Sequence, residues 1–369
     1  MTVVAGRVVT PQGVLERGYV QIDVDRIAAI GEGDRRNAEH APWILPGFVD
    51  MHTHGGGGHT FTTGDAASAH GTAQFHLRHG TTTLLASLVT APHELMLAAT
   101  KAYGPLVADG TIGGIHYEGP YLSHARCGAQ NPAHLREPST VELSALLDTG
   151  RGTVRMVTVA PELPGALDAI RLLVANGVVA AVGHTDATYD QTRAAIEAGA
   201  TVATHLFNGM RPVHHREPGP VLALLGAPGV TCELVADGVH LHDGTLAFAA
   251  TVKGSAGAAL ITDAMTAAGM ADGEYDLGGQ AVAVSGGVAR LVRDGAIAGS
   301  TLTMDAAVRR AVHAGLSIVD AAAMAATTPA RALGLAHVGA LAPGQRADLV
   351  ALDDDLEVLR VMRAGAWVA

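Results

Sequence analysis

Between residues 46 and 339, short apolar runs alternate with longer stretches of helical periodicity. Continuous apolar runs bounded by turn residues are the pattern of strands buried on both faces. Eight such strands are predicted, at 43–50, 81–88, 112–118, 154–160, 178–183, 201–205, 230–236 and 258–263. Amphipathic helices are predicted at 65–79, 92–108, 139–149, 165–176, 188–198 and 242–253. Strand and helix in alternation signal parallel βα units, and eight of them suggest an α/β fold of the (β/α)8 TIM-like barrel type. The two chain ends read differently. VVAGRVVT, YVQIDVD and RIAAIGEG near the start, and ADLVALDDD and LRVMRAGAWVA near the finish, are short half-buried strands. They are expected to pair into one small β-sandwich domain (1–45 with 340–369) beside a barrel domain (46–339).

The alternation breaks at 274–299, where paired glycines separate strand-like runs, so a β-hairpin insert is expected after the eighth strand. A final helical pair follows. Ser300-Thr301 offers a cap for its first member, and Ser317 with Asp320 a capping-box-like start for its second.

Charge narrows the function. Asp and Glu total 35 against 24 Lys and Arg, a net −11, which argues against a nucleic-acid binder. Two cysteines, Cys127 and Cys232, with no CxxC spacing fit a reducing cytoplasm and exclude a disulfide framework. The opening MTVVAGRVVTPQG lacks the regions of a signal peptide, and no apolar run reaches the ~18 residues of a membrane span. A cytoplasmic protein without a membrane partner is expected.

Function in such a barrel gathers where strands end. His52 and His54 follow strand one, Glu118 ends strand three, His184 strand five, His205 strand six and Asp263 strand eight, while His240 follows strand seven. A strand sends alternate side chains to one face, so His52 and His54 leave it together. Imidazoles with a carboxylate make a nitrogen and oxygen site suited to zinc or a similar divalent ion. Any one of these histidines alone is better read as a packing residue; their joint placement reverses that. His70, His76, His79, His93, His134, His313 and His337 fall in helices or loops and keep the packing reading. Glu118 and Asp263 end apolar runs, where a carboxylate is costly unless paired or metal-bound. One would be a ligand and the other a proton carrier. Asp50 reads as a supporting or structural residue. The only lysines, Lys101 and Lys253, lie in predicted helices, which disfavours a strand-end lysine as Schiff base or carbamylated ligand.

At PGFVDMHTHG, HYEGPYLS, GAQNP, VGHTDAT, THLFNGM, HHREPG, VADGVHL, ITDAM and GALAPGQRADLVALD the chain resembles the N-acetylglucosamine-6-phosphate deacetylases of the amidohydrolase superfamily, nearly end to end. The resemblance implies hydrolysis of N-acetyl-D-glucosamine 6-phosphate to D-glucosamine 6-phosphate and acetate, in amino-sugar catabolism and cell-wall recycling. It implies Glu118, His184 and His205 as ligands of one tight divalent ion, zinc by preference, with a second site at His52 and His54. Asp263 would be the catalytic acid and base. Asn208 and Gly209 would line the sugar-phosphate pocket, His240 and Arg216 would contact phosphate, and His215 would assist. Gln130 stands where relatives carry a histidine that polarises the carbonyl. A homodimer with a shared active site is implied, Arg216 reaching the partner's phosphate. The rivals are a galactosamine-series deacetylase on the same scaffold and a non-catalytic scaffolding barrel.

Overall fold

The computed structural model describes residues 2–368. Eight parallel strands run in chain order: Phe48–Thr53, Thr81–Leu88, Gly114–Glu118, Val154–Val159, Val179–Val182, Val202–Ala203, Thr231–Val235 and Ala258–Ile261. Nearly every side chain in them is buried, which is why the sequence shows runs rather than alternation. The first and last strands meet through a carboxylate instead of a regular ladder. Thr262 donates to Asp50 from its backbone N–H (3.3 Å) and its hydroxyl (2.5 Å), and the Asp263 N–H donates to His52 O at 2.9 Å. Asp50 is therefore the clasp of the barrel seam. Burial drives its pKa up to about 7, against the pull of Thr262, the His52 N–H and the His52 ring.

The helices between strands fall within about a residue of their predicted ends: Ala66–Arg78, His93–Ala108, Thr140–Thr149, Ala166–Ala175, Tyr189–Glu197 and Asp243–Lys253. Local chemistry explains the starts. Asp65, Ser139 and Thr188 each accept a backbone N–H of the first turn, and Thr188 with Gln191 completes a capping box. No described helix is long and apolar enough to cross a membrane.

The chain ends form a seven-stranded sheet, in the order Ala366–Trp367, Val358–Arg363, Leu349–Leu352, Glu39–Pro46, Thr2–Thr10, Gly13–Asp23, Arg26–Glu32. It curls on itself. Val8, Val20, Ile27, Ile44, Leu349 and Met362, from strands far apart in that order, share one apolar cluster. The Ile27 N–H donates to Gln345 O, and the Ala347 N–H to Asp25 O, bringing the outer strand onto the segment before Leu349.

Three expectations need correction. The strand predicted at 43–50 is two strands, one ending at Pro46 in the terminal sheet and one beginning at Phe48 in the barrel. Gly47 divides them where the chain passes so close to Thr82 and Asp348 that a β-carbon would lie 2.4 Å from Thr82 Oγ1. The insert is three strands, Gly273–Leu277, Gln280–Ser285 and Val288–Leu291, turning at Gly278-Gly279 and Gly286-Gly287. It carries its own apolar cluster with Val89, Met265 and Ala267. Neither Ser300 nor Thr301 caps Met304–His313: Ser300 spends its hydroxyl on Thr262 O and Thr301 on Gly287 O, and Thr303, at the N-cap position, makes no side-chain cap bond. A short helix, Gly219–Leu225, had no predicted counterpart. Ser317 does cap its helix, accepting the Asp320 N–H.

Candidate active site

Six of the predicted residues converge over the C-terminal mouth of the barrel, all 6 % exposed or less. They form two groups, His52, His54 and Asp263, and Glu118, His184 and His205, each with its donor atoms within 4.8 Å of one another. In the second group His184 Nε2 and His205 Nε2 lie 3.0 and 2.8 Å from Glu118 Oε1 and 3.1 Å from each other. Tetrahedral ligands about 2.0–2.2 Å from a zinc ion stand roughly 3.3–3.6 Å apart, so the donor set fits a divalent ion after a small outward shift. In the first group His52 Nε2 and His54 Nε2 are 3.0 Å apart, and Asp263 Oδ1 is 3.5 and 3.2 Å from them. Glu118 spans both, since Oε2 is 3.3 Å from His54 Nε2.

All four imidazoles face the centre with Nε2 because Nδ1 is engaged elsewhere. The partners are Glu233 Oε2 for His52 (3.0 Å), Ser87 O for His54 (3.0 Å), Arg126 O for His184 (2.8 Å) and Asn208 O for His205 (3.1 Å). Carbonyl and carboxylate oxygens only accept, so Nδ1 carries a proton and Nε2 is the nitrogen turned to the centre, the usual orientation of ligating histidines. Backbone strain adds to this. His184, His205 and Asp263 have φ of 46°, 26° and 50°, rare for residues with a side chain, and such outliers concentrate at functional sites.

Electrostatics agree with a cation-seeking centre. Burial opposes charge on His52 and His54, yet Glu233, Asp263 and Glu118 outweigh it at His52, and Asp263 and Glu118 at His54, holding their pKa values up at about 9 and about 10. Burial likewise opposes ionisation of Glu118 and Asp263, but the surrounding imidazoles keep both carboxyls below the ordinary range. Anionic oxygens held together in a dry pocket need positive charge among them.

Above this centre lies a cavity of about 220 Å³. Gln130, Asn208, Gly209 and His240 line it, together with apolar Val89, Leu277 and Ile297. Gly209 (φ 61°) permits close passage, since a β-carbon there would sit 2.9 Å from His184 Nδ1. His240 gives Nδ1 to Asp237 at 2.7 Å. Gln130 is committed: its Oε1 accepts the Thr90 N–H at 2.7 Å, so its Nε2 must donate to Glu118 Oε2, at 2.5 Å. His215 and Arg216 do not join the group. They are exposed on the 211–217 loop and contact each other at 2.7 Å, and neither lines the cavity. Lys253 is remote and bonds the carbonyls of Leu224 and Ala227.

Sequence reasoning passed over Glu233, Ser87 and the apolar wall given by the insert. Glu233 was detectable, since it is a carboxylate within the buried run TCELV, the same oddity that singled out Glu118. Ser87 holds the His54 ring through its carbonyl, a group every residue carries.

The amidohydrolase family model matches residues 43–368. An N-acetylgalactosamine-6-phosphate deacetylase of Escherichia coli O157:H7 is 40% identical over 98% of this chain and 97% of its own. An N-acetylglucosamine-6-phosphate deacetylase of Lysinibacillus sphaericus is 36% identical over 88% of this chain and 84% of its own. Among solved structures, a variant of the Mycobacterium smegmatis N-acetyl-D-glucosamine-6-phosphate deacetylase in complex with N-acetyl-D-glucosamine 6-phosphate superposes with a TM-score of 0.96. It is 48% identical, covering 99% of this chain and 98% of that one. The chain belongs to the amidohydrolase family, alongside the amino-sugar 6-phosphate deacetylases.

Proposed function

We propose that this protein hydrolyses the acetamide of N-acetyl-D-glucosamine 6-phosphate, releasing acetate and D-glucosamine 6-phosphate. The observation that carries the reading is the pair of ligand groups sharing Glu118 beneath a small polar and apolar cavity. The 48% identity to an enzyme bound to that sugar phosphate supports the substrate. A galactosamine epimer is the second reading, favoured by the 40% identical relative. Acetate release from both epimers, with and without the 6-phosphate, tests the two; no release from any would overturn both.

Glu118, His184 and His205 are the primary ligands of a divalent ion, with zinc favoured by the nitrogen and oxygen donors, and His52 and His54 hold a second. Bound there, such an ion lowers the pKa of water and polarises a carbonyl. Asp263, on the cavity lining, takes a proton from the attacking water and returns it to the departing amine. Asn208 and Gly209 support the sugar, while His240 meets the phosphate. The apolar wall of Val89, Leu277 and Ile297 keeps bulk water from the acetyl group. We assign the barrel to residues 46–339 and the small domain to 1–45 with 340–369, and place the protein in the cytoplasm.

Glu118→Gln or His205→Ala is expected to leave dialysed protein without its tight ion. Replacing His52 and His54 together with Ala should cost only the second, weaker one. Elemental analysis decides, and the reverse pattern would invert the assignment.

The exposed Arg216 fits a homodimer in which it reaches the partner's phosphate. In mixed dimers of Asp263→Asn and Arg216→Ala chains, one site would then collect both defects and the other none, so activity returns. Verified mixed dimers with no regained activity would place Arg216 within its own site or outside the reaction.

A further inference from the structure

Glu233 is a buried carboxylate with 0 % exposure that contacts neither the cavity nor solvent. It lies on the strand Thr231–Val235, between the strand that leads to His205 and the strand that leads to Asp263. One oxygen does all its side-chain bonding. Oε2 takes His52 Nδ1–H at 3.0 Å and the His205 backbone N–H at 3.0 Å, while Oε1 has no hydrogen-bond partner among the described residues. Its own carbonyl accepts the Leu206 N–H at 2.9 Å, so the strand grips His205 and the residue after it. His52 belongs to one ligand group and His205 to the other. A single acceptor atom thus sets the ring of a ligand in the first group and the strained backbone (φ 26°) of a ligand in the second.

We propose that Glu233 is a positioning residue that fixes His52 with Nε2 inward and ties the geometry of the two ligand groups together. It rests on the metal-centre reading above. The arrangement has a chemical logic. An imidazole that gives electron density to a cation becomes a stronger Nδ1–H donor, and an anionic acceptor behind it raises its basicity as a ligand. His54, His184 and His205 have only neutral carbonyls behind them. His52 has the charged partner, so the group it serves should be the one that depends on this contact most.

The test is cobalt(II) titration of metal-free protein, followed by calorimetry and visible absorption. Glu233→Gln keeps the volume and removes the charge. It should weaken ion binding at the His52 group about 10- to 100-fold, the usual cost of losing such a partner, and shift the cobalt bands. Glu233→Asp keeps the charge but withdraws the oxygen by about 1.5 Å, one carbon–carbon bond. It should do at least as much damage if position is what matters. In a His52→Ala background the Glu233→Gln effect should shrink to under about threefold, because the two act through one contact. Unchanged affinity and spectrum in folded Gln and Asp variants would overturn the proposal. An undiminished effect without His52, or a lowered melting temperature with intact metal binding, would do so too. Metal binding that depends on Glu233 in a protein releasing no acetate would defeat only the deacetylase reading. Acetate release with metal binding indifferent to Glu233 would defeat only this inference.

Discussion

Asp263→Asn should lower kcat by ~10²–10⁴-fold, the usual cost of losing a general acid and base. Asparagine matches the shape of aspartate but cannot accept the water proton or deliver it to the amine. Among the described residues the carboxylate has no free substitute at the ligand centre. Glu118 is engaged by His184, His205 and Gln130, and Glu233 is sealed behind His52. KM and the ion at Glu118, His184 and His205 should change little, because Asp263 belongs to the other ligand group. Steady-state kinetics beside metal analysis separate these quantities. A variant with near wild-type kcat would remove Asp263 from the chemistry, whereas loss of both ions would make it chiefly a ligand.

Removing the 6-phosphate from the substrate should lower kcat/KM at least about a hundredfold. Charge-assisted hydrogen bonds contribute roughly 1.5–3 kcal/mol each, and two would be lost, from His240 and Arg216. His240 is held ready for this, since Asp237 takes its Nδ1 and leaves Nε2 without a partner among the described residues. Comparing N-acetylglucosamine with its 6-phosphate reads the effect directly. Equal kcat/KM would mean that the anion is not recognised. A large effect that His240→Ala alone abolishes would put the whole contact on the cavity wall and none on Arg216.

The barrel was legible because its signal is local and repeated. Thr81–Leu88 and Thr231–Val235 are unbroken buried runs, and Thr188 with Gln191 marks a helix start by side-chain chemistry alone. Errors fell where a distant contact decides. Nothing near Gly47 announces that Thr82 and Asp348 crowd it and divide an apparently continuous strand. Ser300 and Thr301 have the composition of a cap, but their hydroxyls are taken by carbonyls 38 and 14 residues away.

Residue identity and strand-end position were enough to expect that His52, His54, Glu118, His184, His205 and Asp263 would meet, and the fold brings them together. Metal-binding chemistry needs particular side chains, and the fold puts strand ends at one mouth. Residue types and spacing could not divide these six; the resemblance implied two sites, but not that Asp263 joins the His52 group or that Glu118 bridges the two. That division depends on distances between strands up to 211 residues apart, from His52 to Asp263. Tertiary structure also decided which ring nitrogen each histidine offers, since three of the four Nδ1 partners are backbone carbonyls, a group every residue carries. It alone placed Gln130 on Glu118, Asp50 at the seam and Arg216 outside the cavity. The chain fixed the chemistry through side chains that few positions tolerate. The folded barrel fixed the geometry through contacts that leave almost no compositional mark.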